Sequence, residues 1–236
     1  NPNFAQTHNN LGLLFYGLRE LQKAISSYQK AIEIQPNFAN AHNNLGIVFK
    51  ELGENQKAKS CFQKAIQINP NYAGAYLNLG NLVKELGEYQ KAKSLYQKAI
   101  AIDPKFSKAN LNLGIIFEEF GEFQKAINYY ETALRLKPDS INAQASISNI
   151  YITQLNDLEK AITASYKTLK MKCETSNFID KKISLYRLKH DVQQAKYLSL
   201  KNYNINGIGE FQKIGNEILT RKENEEITVT SIKKYY

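Results

Sequence analysis

A chain of 236 residues suits one large domain or two small ones, and 43% hydrophobic with 22% charged residues is enough to build a core. No apolar run approaches the roughly 18–20 residues of a membrane span and no signal peptide opens the sequence. Two cysteines, Cys61 and Cys173, make no disulfide framework, so a reducing, cytoplasmic setting is expected. The net charge of +9 raises the question of an acidic partner. Five prolines, Pro2, Pro36, Pro70, Pro104 and Pro138, fall 34 residues apart, and a fixed period of this kind signals stacked structural units.

A first copy of the unit runs from Ala5 to Pro36. Three more end at Pro70, Pro104 and Pro138 and align with almost no gaps. Each predicts two helices. Leu45, Phe49 and Leu52 recur at helical spacing, as do Ala58, Phe62, Ala65 and Ile66 after a break at Gly53. The proline ends the second helix, because the residue before a proline is biased away from helical angles. Gly53, Gly87 and Gly121 mark the turn between the two helices. Arg19 stands there in the first copy, with Gly17 its nearest glycine, so that turn is expected to be built differently. Gly46, Gly80 and Gly114 are expected to face Ala58, Ala92 and Ala126, since a glycine inside a helix costs about 1 kcal/mol unless close packing needs it.

Past Pro138 the pattern decays. Ile147, Ser148, Tyr151, Ala161, Leu169 and Met171 follow it with an insertion near Asn156–Asp157, and Cys173 takes the proline position. The expected layout is four regular units over 1–138, with 1–4 the end of a preceding unit, and a degenerate fifth over 139–173. A possible sixth helix pair lies at 174–204, a capping helix at 205–221, and a tail at 222–236 that either belongs to a downstream domain or is disordered. The opening Asn1-Pro2-Asn3-Phe4 matches the joint Asn69-Pro70-Asn71-Tyr72, and no initiator methionine precedes it, so a longer protein with another unit upstream is expected.

The succession Leu45, Gly46, Phe49, Ala58, Phe62, Ala65, Pro70 resembles the tetratricopeptide repeat, and the next two units repeat it with Val83 as the one softening. The aromatic expected near the start of the first helix is present as Tyr76, whereas His8, His42 and Asn110 replace it elsewhere. The resemblance implies an all-α fold, an α-solenoid of stacked antiparallel helix pairs winding as a right-handed superhelix. First helices would line its concave face and second helices its convex face.

Along the first helices Asn10, Asn44, Asn78 and Asn112 recur at one position, and Ser146 breaks the row. Asparagine is a poor helix former, so its repeated use implies a compensating contact. A row of amides suits the alternating N–H and C=O groups of an extended peptide, or it hydrogen-bonds neighbouring helices to each other; both readings stand at this point. The array resembles the repeats of O-linked N-acetylglucosamine transferases, which implies a peptide-gripping asparagine ladder at these positions. Asn9, Asn43 and Asn81 enrich the same face, as does Asn149, and Lys50 and Lys84 are expected near the groove floor with Glu51, Glu85, Glu118 and Glu119. The peptide-binding candidates are therefore Asn9, Asn10, Asn43, Asn44, Asn78, Asn81, Asn112, Lys50 and Lys84. A lysine–asparagine clamp for acidic chaperone tails is disfavoured, because the matching pairs are Asn9 with Leu13, Asn43 with Ile47 and Leu77 with Asn81.

Catalysis finds little support: His8 and His42 lack a third metal ligand, and there is no phosphate-cradling glycine loop, no Cys-x-x-Cys and no Ser-His-Asp set. No enzyme activity, cofactor or metal is expected. The charge is uneven, with 16 basic and 12 acidic residues over 1–140 but 10 and 3 over 160–202, and the periodic lysines read as a solvated convex face, so nucleic-acid binding is unlikely. The expected function is a protein–protein interaction scaffold that takes an extended peptide or partner segment in its groove. The alternative is a substrate-recruiting or oligomerising arm of a larger transferase or oxygenase. Exposed solenoid ends offer a route to homo-oligomers.

Overall fold

The structure, a computed structural model, describes residues 2–154 together with Asp157, Lys160, Ala161, Thr163, Ala164 and Lys167. The chain divides into two compact units, Asn1–Pro138 and Asp139–Tyr236. The first contains α1 (Pro2–Gly17), α2 (Leu21–Ile34), α3 (Ala39–Glu51), α4 (Asn55–Ile68), α5 (Ala73–Glu85), α6 (Tyr89–Ile102), α7 (Ser107–Glu119) and α8 (Phe123–Leu136). The second contains α9 (Ile141–Thr153). The described residues include no strand. In that second unit the Gln144 side-chain amide donates to the Ala164 carbonyl at 3.4 Å. The expected helices beyond 174, the tail, and most of the second helix of the fifth repeat lie outside the described residues.

In the first unit the pairing is α1 with α2, α3 with α4, α5 with α6 and α7 with α8, and each second helix also packs on the first helix of the next pair. The first helices of neighbouring pairs touch more closely than the second helices do. A stack tighter along one row of helices curves towards that row, so the first helices line the concave side.

Every repeat has the same core. Ala24, Ala58, Ala92 and Ala126 are fully buried, and so are Ala31, Ala65, Ala99 and Ala133 one face-turn later. Between them sits one large aromatic per repeat, Tyr28, Phe62, Tyr96 and Tyr130. These rings, and not the alanines, are what the helix glycines face. A Cβ on Gly46 would come within 2.7 Å of the Phe62 ring, and one on Gly80 or Gly114 within 2.6 Å of Tyr96 or Tyr130. The absent Cβ makes room for a ring.

The turns correct a second expectation. Gly53, Gly87 and Gly121 have φ of 76°, 79° and 71°, and Arg19 adopts the same left-handed conformation at 63°. The hydrogen bonds match too: Arg19 N–H to Tyr16 and Glu20 N–H to Phe15 repeat Gly53 to Lys50 and Glu54 to Phe49. All four turns are one motif, which closes the orphan carbonyls at a helix C-terminus. Arginine holds it against a steric cost of about 1–2 kcal/mol that glycine avoids. The opening residues also differ from expectation: Pro2 to Phe4 lie within α1, whereas Phe38, Tyr72 and Phe106 precede the starts of α3, α5 and α7. Proline is tolerated in a first helical turn, where its missing N–H has no partner to lose.

Candidate peptide-binding groove

The asparagine row is joined from repeat to repeat. Asn44 donates its Nδ2 to Asn9 Oδ1 at 3.0 Å, Asn78 to Asn43 at 2.9 Å, and Asn112 to Asn81 at 2.7 Å. Asn9 and Asn43 are buried, so their amides serve the neighbouring first helix and are shielded from the groove. Asn81 is held by a second donor, the Tyr96 hydroxyl at 2.9 Å. Asn10, at the open end of the row, is exposed and accepts from Gln6 Nε2 at 2.8 Å. The Oδ1 atoms of Asn78 and Asn112 have no partner among the described residues, and both side chains are half-buried. Asn44 Oδ1 has one long contact, 3.5 Å from Asn43 Nδ2. Each amide is thus fixed through its nitrogen and turned so that its oxygen remains available.

A change of partner shows how the row is maintained. Asn9 and Asn43 share one repeat position, which the third repeat fills with Leu77. The missing amide reappears one helical turn later as Asn81, which receives Asn112 instead. The fourth repeat has Leu111 and Ile115 at these two positions, and the fifth has Ser146 in place of the row asparagine. Donor and acceptor disappear from the sequence together.

The charged residues follow the same cross-repeat logic. Arg19 pairs with Glu51, and Lys50 with Glu85 at 2.5 Å. Lys84, half-buried, has no such partner among the described residues, and Glu118 accepts from the Tyr130 hydroxyl at 2.6 Å. On the second helices Lys23, Lys57, Lys91 and Lys125 pair with Glu20, Glu54, Glu88 and Glu122 three residues earlier. The hydrogen bond from Lys91 holds the Glu88 carboxyl below its ordinary range. Lys23, Lys57 and Lys125 also lie 5.2–5.6 Å from the ring centres of Phe15, Phe49 and Phe117. These four cations are matched locally. Of the basic residues over 160–202, only Lys160 and Lys167 lie among the described residues.

Phe49, Phe62, Tyr96 and Tyr130 are buried, and burial pushes the Tyr28 hydroxyl up to about 12 and raises Tyr96 further. Cys61 is half-buried and its thiol is pushed up to about 11 by burial, so it is a poor nucleophile near neutrality. His42 shares a hydrogen bond with the Pro36 carbonyl at 3.0 Å. Among the described residues no group of three His, Cys, Asp or Glu is placed to hold a metal, and no helix is long and apolar enough to cross a membrane.

Helix pairs with this glycine–aromatic packing, this turn and this period define a tetratricopeptide solenoid, the right-handed superhelical class. Residues 37–105 and 84–150 match tetratricopeptide-repeat families, and residues 20–53 match a third family described as TPR repeat. Together these matches span more than half of the chain, which belongs to the tetratricopeptide-repeat proteins. Among solved structures, MamA is similar with a TM-score of 0.63 and 27% identity, over 70% of this chain and 96% of that one. PilF of Pseudomonas aeruginosa has a TM-score of 0.67 at 19% identity, over 89% and 97%. YrrB, described as a TPR protein with an unusual peptide-binding site, has a TM-score of 0.58 at 21% identity, over 77% and 90%. No curated protein matches the chain. Proteins of this class are in general scaffolds for protein interaction, and that coarse function applies here.

Proposed function

We propose that the concave side of residues 5–138 binds an extended peptide through its backbone N–H groups, with the Oδ1 atoms of Asn44, Asn78 and Asn112 as acceptors. The observation that carries this reading is the uncommitted oxygen on Asn78 and Asn112, beside a nitrogen that a neighbouring repeat holds in place. A preorganised acceptor loses little rotamer entropy on binding. Packed helices lie about 8–10 Å apart, and an extended chain in the polyproline II conformation rises about 3.1 Å per residue with three residues per turn. Successive first helices would therefore meet every third peptide N–H. Ile47 and Ile115, half-buried on these helices one turn after the asparagine row, supply apolar contact between the polar ones.

In this reading Asn9, Asn43 and Asn81 orient the acceptors, Asn10 ends the row, and Lys50 is occupied by Glu85. Lys84, which has no ion-pair partner among the described residues, would choose among side chains. Cytoplasmic residence is part of the proposal and rests on the cysteine usage.

The test begins with selection from a random peptide display library on the 236-residue chain. The selected peptide is then titrated against the chain carrying Asn78→Ala and Asn112→Ala, at a temperature where both proteins are folded. Two lost hydrogen bonds at about 0.5–1.5 kcal/mol each weaken binding roughly five- to a hundredfold. Unchanged affinity, or a library that yields no ligand, refutes the reading.

A further inference from the structure

We infer that Asn81 and Lys84 form a carboxylate subsite, which takes an Asp or Glu side chain from the middle of the bound peptide. The inference rests on the groove reading above and names what the third repeat selects. Both residues lie on α5, one turn apart, so their Cβ atoms are neighbours on the helix surface at about 5–6 Å. Both side chains are half-buried.

Each offers a donor that no described residue uses. Asn81 Oδ1 accepts twice, from Asn112 Nδ2 at 2.7 Å and from the Tyr96 hydroxyl at 2.9 Å, which fixes how the amide is turned. Its Nδ2 has no acceptor among the described residues. The buried side-chain atoms left unpartnered there are His8 Nδ1 and Glu20 Oε2, so Asn81 Nδ2 is open to solvent. Lys84 makes no ion pair or hydrogen bond among the described residues, although Lys50 one repeat earlier reaches Glu85 at 2.5 Å. Glu119 follows Lys84 in the sequence at the same interval as Glu85 follows Lys50, yet it is exposed and has no ion pair among the described residues. An amide N–H beside an ammonium group matches the two oxygens of one carboxylate.

The other regular repeats lack this pair. In place of Asn81 they have Leu13, Ile47 and Ile115, and in place of Lys84 they have Tyr16, Lys50 and Glu118. Lys50 is taken by Glu85, and Glu118 holds the Tyr130 hydroxyl at 2.6 Å. The acceptor oxygens of Asn78 and Asn112 belong to α5 and α7, so a peptide backbone that meets both runs on past Lys84. The carboxylate that reaches this subsite is then a side chain and not a chain end.

The probe is the peptide selected from the display library on the 236-residue chain, made with acetylated and amidated ends. It is titrated in two forms, with its acidic residue and with the Glu→Gln or Asp→Asn isostere. The expected result is one position at which the selected peptides share Asp or Glu, and an affinity about tenfold lower for the isostere. Lys84→Met is expected to remove that difference. Asn81→Asp should remove it too, because it keeps the oxygen that Asn112 and Tyr96 bond and puts a repelling charge where the amide N–H groups were. Asn78→Ala should weaken both forms and keep their ratio. Circular dichroism verifies that each variant is folded. Selected peptides with no shared acid, an isostere that binds equally, or a preference that survives Lys84→Met overturns the subsite and leaves the asparagine acceptors standing. A peptide that binds only with its C-terminus free also overturns it. An affinity that Asn78→Ala leaves unchanged counts against the acceptors instead, and a library that yields no peptide overturns both.

Discussion

The glycine–aromatic packing gives a pair of substitutions with opposite signs. An alanine placed at an open helical glycine stabilises by up to about 1 kcal/mol, through helix propensity and a less flexible unfolded chain. Gly17 is such a site, since a Cβ there meets nothing within 4 Å. At Gly80 the same Cβ would lie 2.6, 2.9 and 3.2 Å from Cε1, Cδ1 and Cζ of Tyr96. That ring has no free side to move to: it is fully buried and its hydroxyl is bonded to Asn81. Overpacking of this sort costs about 1–3 kcal/mol, which outweighs the propensity gain. Gly17→Ala is therefore expected to raise the thermal midpoint slightly and Gly80→Ala to lower it. At about 2–4 °C per kcal/mol, the two variants should differ by roughly 2–12 °C in parallel melts followed by circular dichroism. Equal midpoints, or Gly80→Ala as the more stable protein, would refute the argument that the missing Cβ makes room for the ring.

Three other outcomes follow from the same geometry. Gly87→Ala should cost about 1–2 kcal/mol in urea melts for its left-handed turn, whereas Arg19→Gly should cost nothing or stabilise by up to about 1 kcal/mol, because relief of strain exceeds the loss of an exposed ion pair; a destabilised Arg19→Gly would show that the pair with Glu51 decides that turn. Stability should fall as pH rises from 10 towards 12: Tyr28 keeps its proton to about 12 in the folded chain, against 10 for an ordinary tyrosine, so the unfolded chain binds fewer protons in that window. Tyr28→Phe should flatten this part of a pH series of melts, and an unaltered slope argues against it. Asn78→Ala should itself lower stability by about 1–3 kcal/mol in urea melts, since it leaves the buried Asn43 oxygen unpaired; a neutral effect would remove the asparagine row from the joints between repeats.

The helix pairs were legible in the sequence because proline and glycine act through the backbone, where residue type translates directly into allowed angles. The period of 34 residues carried the stacking without any contact being known. Arg19 shows where that logic stops: the turn's geometry is set by its two helices and its hydrogen bonds, and glycine at the other three turns merely makes the strain smaller. Periodicity placed Gly46, Gly80 and Gly114 on the inward face, but not the depth of the opposing side chain, so the rings of Phe62, Tyr96 and Tyr130 were missed as their partners. Asn9, Asn43 and Asn81 were gathered to the groove as a composition. Their role as receivers of the row's amides was readable in one signal, the shift from position 77 to position 81 where Leu77 intervenes. Lys50 and Glu85 lie 35 residues apart, and a pairing between repeats at that separation needs the superhelix to be seen.

The central claim is that the asparagine oxygens accept from a peptide backbone. Single N-methylation along the selected peptide tests it most directly, because each methyl removes one backbone donor and leaves the side chains in place. The account predicts that affinity for the 236-residue chain falls at positions about three residues apart, and that Asn78→Ala with Asn112→Ala abolishes the methylation effect at the two positions that face those residues. A flat N-methyl series, or one whose pattern persists in the doubly substituted chain, would contradict it.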